Sequence, residues 1–209
     1  MAFTSKVYLV SDEEFIEIVK NDEGKVIGFT SDKITLDVSY VDDEEKPPFI
    51  WKNVKIANLK KFIDFPNKLY KGNQYYAPFL FSDEMATFTK KSNPAYEFCE
   101  TKLFLAYIDN KIVGRIAGLI NHAANEKWNT NIIRFTRFDF IDNYEVSKTL
   151  MDTVINWGKE KGFTSIMGPI GFTDLDHEGM LVEGFEEINM SITFYNAPYY
   201  IEHMQRLGF

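Results

Sequence analysis

The chain has 209 residues, 45% of them hydrophobic, with Phe and Tyr abundant, a composition that supports a packed core and argues against disorder. Its net charge of −8 and lack of any basic run weigh against nucleic-acid binding, and three His with one Cys make a structural zinc site improbable, so no metal is expected. Cys99 alone excludes an internal disulfide framework and points to a cytoplasmic address. The first fifteen residues hold no uninterrupted apolar run, so no signal peptide is expected, and no apolar run nears the ~20 residues needed to span a bilayer.

The elements begin with an N-terminal extension over residues 1–48. Ser11 to Lys20 reads as a short helix, with Ser11 and Glu14 as its capping box and Phe15, Ile18 and Val19 on one face. Lys25 to Phe29 and Lys33 to Val41 read as two strands around Thr30-Ser31-Asp32. The acidic run Asp42 to Glu45, followed by Lys46-Pro47-Pro48, reads as a stiff linker.

From residue 49 strands and helices alternate. Val54 to Ala57 is a short strand, and Leu59 to Tyr70 is helical in pattern, with Pro66 expected to end or kink it near Phe65. Residues 71–95 are mixed. Lys102 to Ile108 and Lys111 to Ile120 form a hairpin around Asp109-Asn110, and Ile132 to Ile141 is the next strand. Glu145 to Lys161 is a helix with Val146, Leu150, Val154 and Trp157 in one stripe, closed by Gly162 in a left-handed cap. Ser165 to Gly168 is strand-like, and residues 169–188 are irregular and acidic. Ile192 to Tyr195 reads as a strand, and Pro198 to Leu207 as a last helix with Pro198 in its first turn. This order predicts an α/β protein in which a sheet carries helices.

Three stretches occur in a telling order: LFLAYIDNKIVGRIAG (103–118), FDFIDNYEVSKTL (138–150) and YYIEHMQRLGF (199–209). Together they resemble the GNAT superfamily of coenzyme A-dependent N-acyltransferases. FPNKLYKGNQYYAPFL, GPIGFTDLDHEGMLVEGF and NAPYYIEHMQRLGF are similar to a subfamily of larger GNAT-like bacterial proteins, and the likeness covers residues 52–209. The resemblance implies a mixed, mostly antiparallel twisted sheet flanked by helices. It also implies acyl transfer, from acetyl-CoA or another acyl-CoA, to a small-molecule amine or a peptide. The acyl chain would lie where the strand ending in Phe140 splays from its neighbour. The family continues with two more strands where this chain stops at Phe209. That predicts a sheet edge covered by residues 25–41 or by a second copy in a homodimer, or a shortened form of a longer protein.

The resemblance also nominates residues. Asp139 is the candidate base, either facing the cleft or ion-paired beside Arg137. Tyr200 and His203 are candidate acids for the leaving thiolate, set against packing and an exposed helix position respectively. Phe140, Ile141, Asn143, Tyr144, Ser147, Asn196 and Tyr199 are candidates for contacting the coenzyme, with helix capping as the simpler role for Asn196. Asp174, Asp176 and Glu178, on the acidic segment, are the substrate-side candidates, and a solvated loop is their plainer reading. The junction Asp142-Asn143-Tyr144-Glu145 departs from the glycine-rich loop of the family. Asp142 and Glu145 fit a capping box, which would occupy the amides that a pyrophosphate needs. A non-catalytic ligand- or protein-binding module of the same fold is therefore the alternative function. An aminoacyl- or peptidyl-transferring relative is a third, weighed against by the acidic balance.

Overall fold

A computed structural model describes residues 57–108, 111–189 and 193–209, with side chains from 59 onward. It also gives the backbone of β1 (Ser5–Val10), β2 (Ile16–Lys20), β3 (Val26–Ser31), β4 (Thr35–Asp37) and β5 (Lys52–Val54).

The fold is a mixed α/β sheet flanked by helices. Its centre is the antiparallel run β6 (Cys99–Ile108), β7 (Lys111–Asn121) and β8 (Ile132–Phe140), and β9 (Ser165–Met167) pairs parallel to β8. β1 lies antiparallel beside β6, β5 lies parallel to β1, and β2, β3 and β4 form a separate antiparallel sheet. The β6–β7 hairpin and the strands at 132 and 165 match the sequence reading. The helix expected over Ser11–Lys20 is corrected: Ile16–Lys20 is a strand paired with β3, and residues 11–15 lie outside the described residues. Ile16, Ile18 and Val19 are β-branched, and such residues favour a pleated strand wherever a partner strand is at hand. The strand expected at Ile192–Tyr195 is, where described, a single bridge from Thr193 to Glu178.

Two apolar layers enclose the sheet. On one face α4 (Tyr144–Glu160) and α5 (Tyr199–Leu207) bury Val146, Leu150, Val154, Trp157 and Met204 against Ile116, Ile120, Ile133 and Phe135. On the other, α1 (Ala57–Leu69) and α2 (Phe81–Thr87) bury Phe62, Ile63 and Phe88 with Leu103, Leu105, Ala117 and Leu119. Gly114 and Gly118 of β7 let α4 come close: a Cβ at Gly118 would stand 2.9 Å from the Trp157 ring. α4 ends as expected, with Gly162 at φ 84° and the Phe163 amide donating to the Gly158 carbonyl. Cys99 opens β6 as a small buried residue whose thiol burial pushes up to about 11.

Pro66 does not end α1, which runs on to Leu69. Proline removes one amide donor, the one that would have served the carbonyl of Phe62 four residues back. α2 and α3 (His122–Trp128) were not read from the sequence. They are short, and the Leu80 start of α2 has no side-chain cap to announce it.

A bulge in β8 decides what the site contains. Arg115 pairs with Asp139 and Ala117 with Thr136, so Arg137 and Phe138 together oppose Ile116. Arg137 takes φ 48°, and the alternation of faces changes parity there. Ile133, Phe135, Phe138 and Phe140 all reach the α4 core, whereas Arg137 and Asp139 turn to the α1 and α2 face.

Candidate active site

β8 and β9 stay paired only from Ile132–Ser165 to Arg134–Met167. The chain then leaves through the cis Gly168–Pro169 bond, where a Cβ at Gly168 would stand 2.4 Å from the Phe135 carbonyl. Past that point β8 faces a narrow cleft of about 20 Å³, room for about one water. Phe138, Asp139, Met180, Asn196, Tyr200 and Met204 are among its walls.

A buried polar network stands at this opening. Arg115 Nε donates to Asp139 Oδ2 at 2.7 Å, and Arg115 Nη1 donates at 2.8 Å to the Phe62 carbonyl that Pro66 leaves without its helical donor. Tyr70 Oη donates to Asp139 Oδ1 at 3.3 Å and lies 2.9 Å from Tyr200 Oη. The Phe140 amide donates to Tyr200 Oη at 3.0 Å, and Tyr199 Oη donates to the Phe140 carbonyl. Burial above all, with the Asp139 charge, holds the Tyr200 hydroxyl well above the ordinary tyrosine range, so it keeps its proton at neutral pH. Burial likewise raises Tyr70, helped by Tyr200 and Asp139.

The sequence candidates Asp139 and Tyr200 therefore meet in one place, joined by Tyr70, which the sequence reading took only as a helix end. The partner of Asp139 is Arg115 and not Arg137. Without the bulge, alternation cannot show this.

Arg137 holds a second buried cluster. Its Nη2 lies 2.7 Å from Glu84 Oε1 and 2.9 Å from Asp176 Oδ1. Burial works against the ionised form of both acids, but the Arg137 charge, with a His177 hydrogen bond for Asp176, brings both below the usual carboxylate range. Asp176 thus ties the acidic segment to β8, whereas Asp174 and Glu178 are exposed.

The remaining candidates fall elsewhere. The N-cap of α4 is Asn143, whose side chain accepts from the Glu145 and Val146 amides at 3.0 and 3.4 Å. The capping box expected from Asp142 and Glu145 is thereby corrected by one residue. Asp142 instead meets His203 Nε2 at 3.1 Å, and His203 Nδ1 lies 2.8 Å from Ser147 Oγ. This Ser-His-Asp row is no nucleophilic triad: Ser147 is fully buried and its hydroxyl donates to the Tyr144 carbonyl. His203 is buried rather than exposed, and its ring nitrogens meet Ser147 and Asp142. Ile141 donates its amide to the Val113 carbonyl, and Tyr144 Oη donates to the Arg206 carbonyl. Asn196 does not cap α5, where Pro198 holds the cap position. It bonds both the amide and the carbonyl of Leu181, pinning the acidic segment against the cleft.

Among the described residues no helix is long and apolar enough to cross a membrane. No protein-family model matches the chain. It is 29% identical over 152 residues to Protein YghO of Escherichia coli, an alignment covering 73% of this chain and 39% of that protein. It is 26% identical over 154 residues to Bacterial ceramide synthase of Caulobacter vibrioides, covering 73% of this chain and 40% of that protein. The chain spans about two fifths of the length of each of these curated relatives. These likenesses and the mixed α/β sheet agree with an acyltransferase-like family.

Proposed function

We propose that the chain carries the acyl-transfer site of an N-acyltransferase, taking an acyl group from an acyl-CoA and passing it to an amine. The observation that carries this reading is the cleft beside β8, where the protonated Tyr200 hydroxyl and the Asp139 carboxylate stand in the same wall. Acyl transfer from a thioester to an amine needs a proton acceptor for nitrogen and a proton donor for sulfur. Asp139 supplies the first and Tyr200 the second, and β8 and α5 hold them in place. The single buried Cys99 agrees with a cytoplasmic setting.

The name of the Caulobacter relative bears on the substrates. A ceramide is an amide of a long-chain amine, so the favoured acceptor is an amine with a hydrocarbon tail, and the favoured acyl group is longer than acetyl. Two features of this chain support that choice. Residues 162–205 contain neither Lys nor Arg. Within that span exposed Leu175, Val182 and Ile188 are interleaved with Asp174, Glu178, Glu183, Glu186 and Glu187. A surface both acidic and apolar suits a cationic amphiphile.

The alternative is a ligand-binding module without turnover, and three contacts favour it. Asn143 occupies the first amides of α4, Asp142 and Glu145 set negative charge beside them, and Tyr200 occupies the Phe140 amide. Calorimetric titration with acetyl-CoA, a long-chain acyl-CoA and free coenzyme A separates the two. Micromolar binding that strengthens with acyl length supports acyl transfer. No binding up to millimolar concentrations leaves the module.

A further inference from the structure

We propose that Tyr70 makes the acid and the base of the cleft one ordered unit, in which the Tyr200 proton is presented to the cleft only after Asp139 has taken a proton. The proposal rests on the acyl-transfer reading above and adds a positioning residue to it.

The directions of the hydrogen bonds carry the argument. An ionised carboxylate only accepts, so the single hydroxyl proton of Tyr70 goes to Asp139 Oδ1. Between the two phenols the donor must then be Tyr200. The Phe140 amide donates to the Tyr200 oxygen from another side, and Arg115 Nε donates to the second Asp139 oxygen. Donation thus runs one way, from Phe140 through Tyr200 and Tyr70 to Asp139. At rest the Tyr200 proton points at Tyr70 and away from the cleft. Tyr70 is itself buried behind Tyr195 and Tyr76, whose ring centroids lie 5.1 and 4.9 Å from its own, and it is absent from the cleft wall. Its hydroxyl reaches the reaction only through its two neighbours.

Protonating Asp139 reverses the row. The new Asp139 hydroxyl donates to the Tyr70 oxygen, Tyr70 turns its proton to the Tyr200 oxygen, and the Tyr200 proton swings into the cleft. The amine nitrogen attacks the thioester carbonyl carbon, the carbon–nitrogen bond forms and the carbon–sulfur bond breaks, with the electron pair leaving on sulfur. The surplus proton on nitrogen passes to Asp139, and the Tyr200 proton passes to sulfur. Tyr200 regains a proton from Tyr70, and Tyr70 regains one from Asp139. One proton has moved from nitrogen to sulfur, and no other reactant is needed.

The test is Tyr70→Phe in the full chain, which keeps the ring and its packing. With a long-chain acyl-CoA and a long-chain amine, turnover should fall roughly 100-fold, the scale of a lost acid–base contribution. KM for the acyl donor should stay within about twofold, because the hydroxyl is not in the cleft wall. In mixtures of light and heavy water the rate of the parent protein should bend, as several protons move together, and that of Tyr70→Phe should be linear. Unchanged turnover, or a loss of turnover with the bend retained, overturns the proposal. A second measurement does not depend on turnover. With tyrosine labelled at the hydroxyl-bearing carbon, Asp139→Asn should move the Tyr200 resonance in the parent protein but not in Tyr70→Phe. An equal movement in both backgrounds overturns the relay. If Asp139→Asn does not fold, the Tyr200 resonance in Tyr70→Phe decides alone, and an unmoved signal overturns the relay. Absence of thiol release from the parent protein with every amine tried counts against the acyl-transfer reading, and the resonances then judge the relay separately.

Discussion

Asn143 and Asp142 show how one residue changes the meaning of a helix start. Both side chains cap well, and the sequence offers no means of ranking them. The Asn143 amide turns back to the Ile141 carbonyl at 2.6 Å, which places Asn143 and not Asp142 over the free amides of α4. Asn143→Ala should therefore cost about 1 kcal/mol in a denaturant titration. Asp142→Ala should cost less, because its carboxylate is 68% exposed and makes only the surface-side contact with His203. The reverse ranking would restore the Asp142 cap. Arg137 offers a second residue-scale test. Glu84 and Asp176 have lowered folded values against ordinary ones of 4.5 and 3.8. A depressed carboxylate stabilises above its unfolded value and loses that contribution as pH falls through the folded one. Stability should therefore be complete above about pH 4.5 and decline below it. Glu84→Ala should cost about 3–5 kcal/mol at neutral pH, since Arg137 is fully buried and loses a partner. Thermal unfolding followed across pH checks both, and a flat acid limb would contradict the assignment.

At the scale of elements, strong periodicity was enough for the β6–β7 hairpin, for α4 and for α5. Each buries an apolar face whose spacing the chain states directly, as Val146, Leu150, Val154 and Trp157 do. What escaped notice has physical causes. A bulge inserts one residue and reverses parity, and the alternation of Phe138, Asp139 and Phe140 reads the same with or without it. Pro66 signals a broken helix, yet its lost donor is made good by Arg115 from another strand. Glu84 sits on a single short helix, and only the fold brings it to Arg137. Tyr70 carried no chemical signal in sequence because its partners lie 69 and 130 positions away. The closeness of α4 to β7 is also testable. Gly118→Ala places a methyl group 2.9 Å from the Trp157 ring and should cost about 1–3 kcal/mol by overpacking. An unchanged unfolding midpoint would show that Trp157 moves freely.

For the whole molecule, the sheet has two jobs. One end of β8 is sealed by β9 and α4, and the other is opened by the departure at Gly168. The acidic segment then folds back over the opening, held by Asp176 on Arg137 and by Asn196 on Leu181. The cleft is narrow, and its polar groups are already paired with one another. The likeness to a protein named for ceramide synthesis runs over 154 residues at 26% identity.

The most direct test of the central claim is the rate of thiol release from a long-chain acyl-CoA in the presence of a long-chain amine, measured for the parent protein and for Tyr200→Phe. Amine-dependent release is expected from the parent protein, with a loss of about 100-fold or more in turnover and little change in acyl-CoA affinity for Tyr200→Phe. Equal rates from the two proteins would contradict the role of Tyr200. Absence of release from both, with coenzyme still bound, would contradict acyl transfer at this cleft.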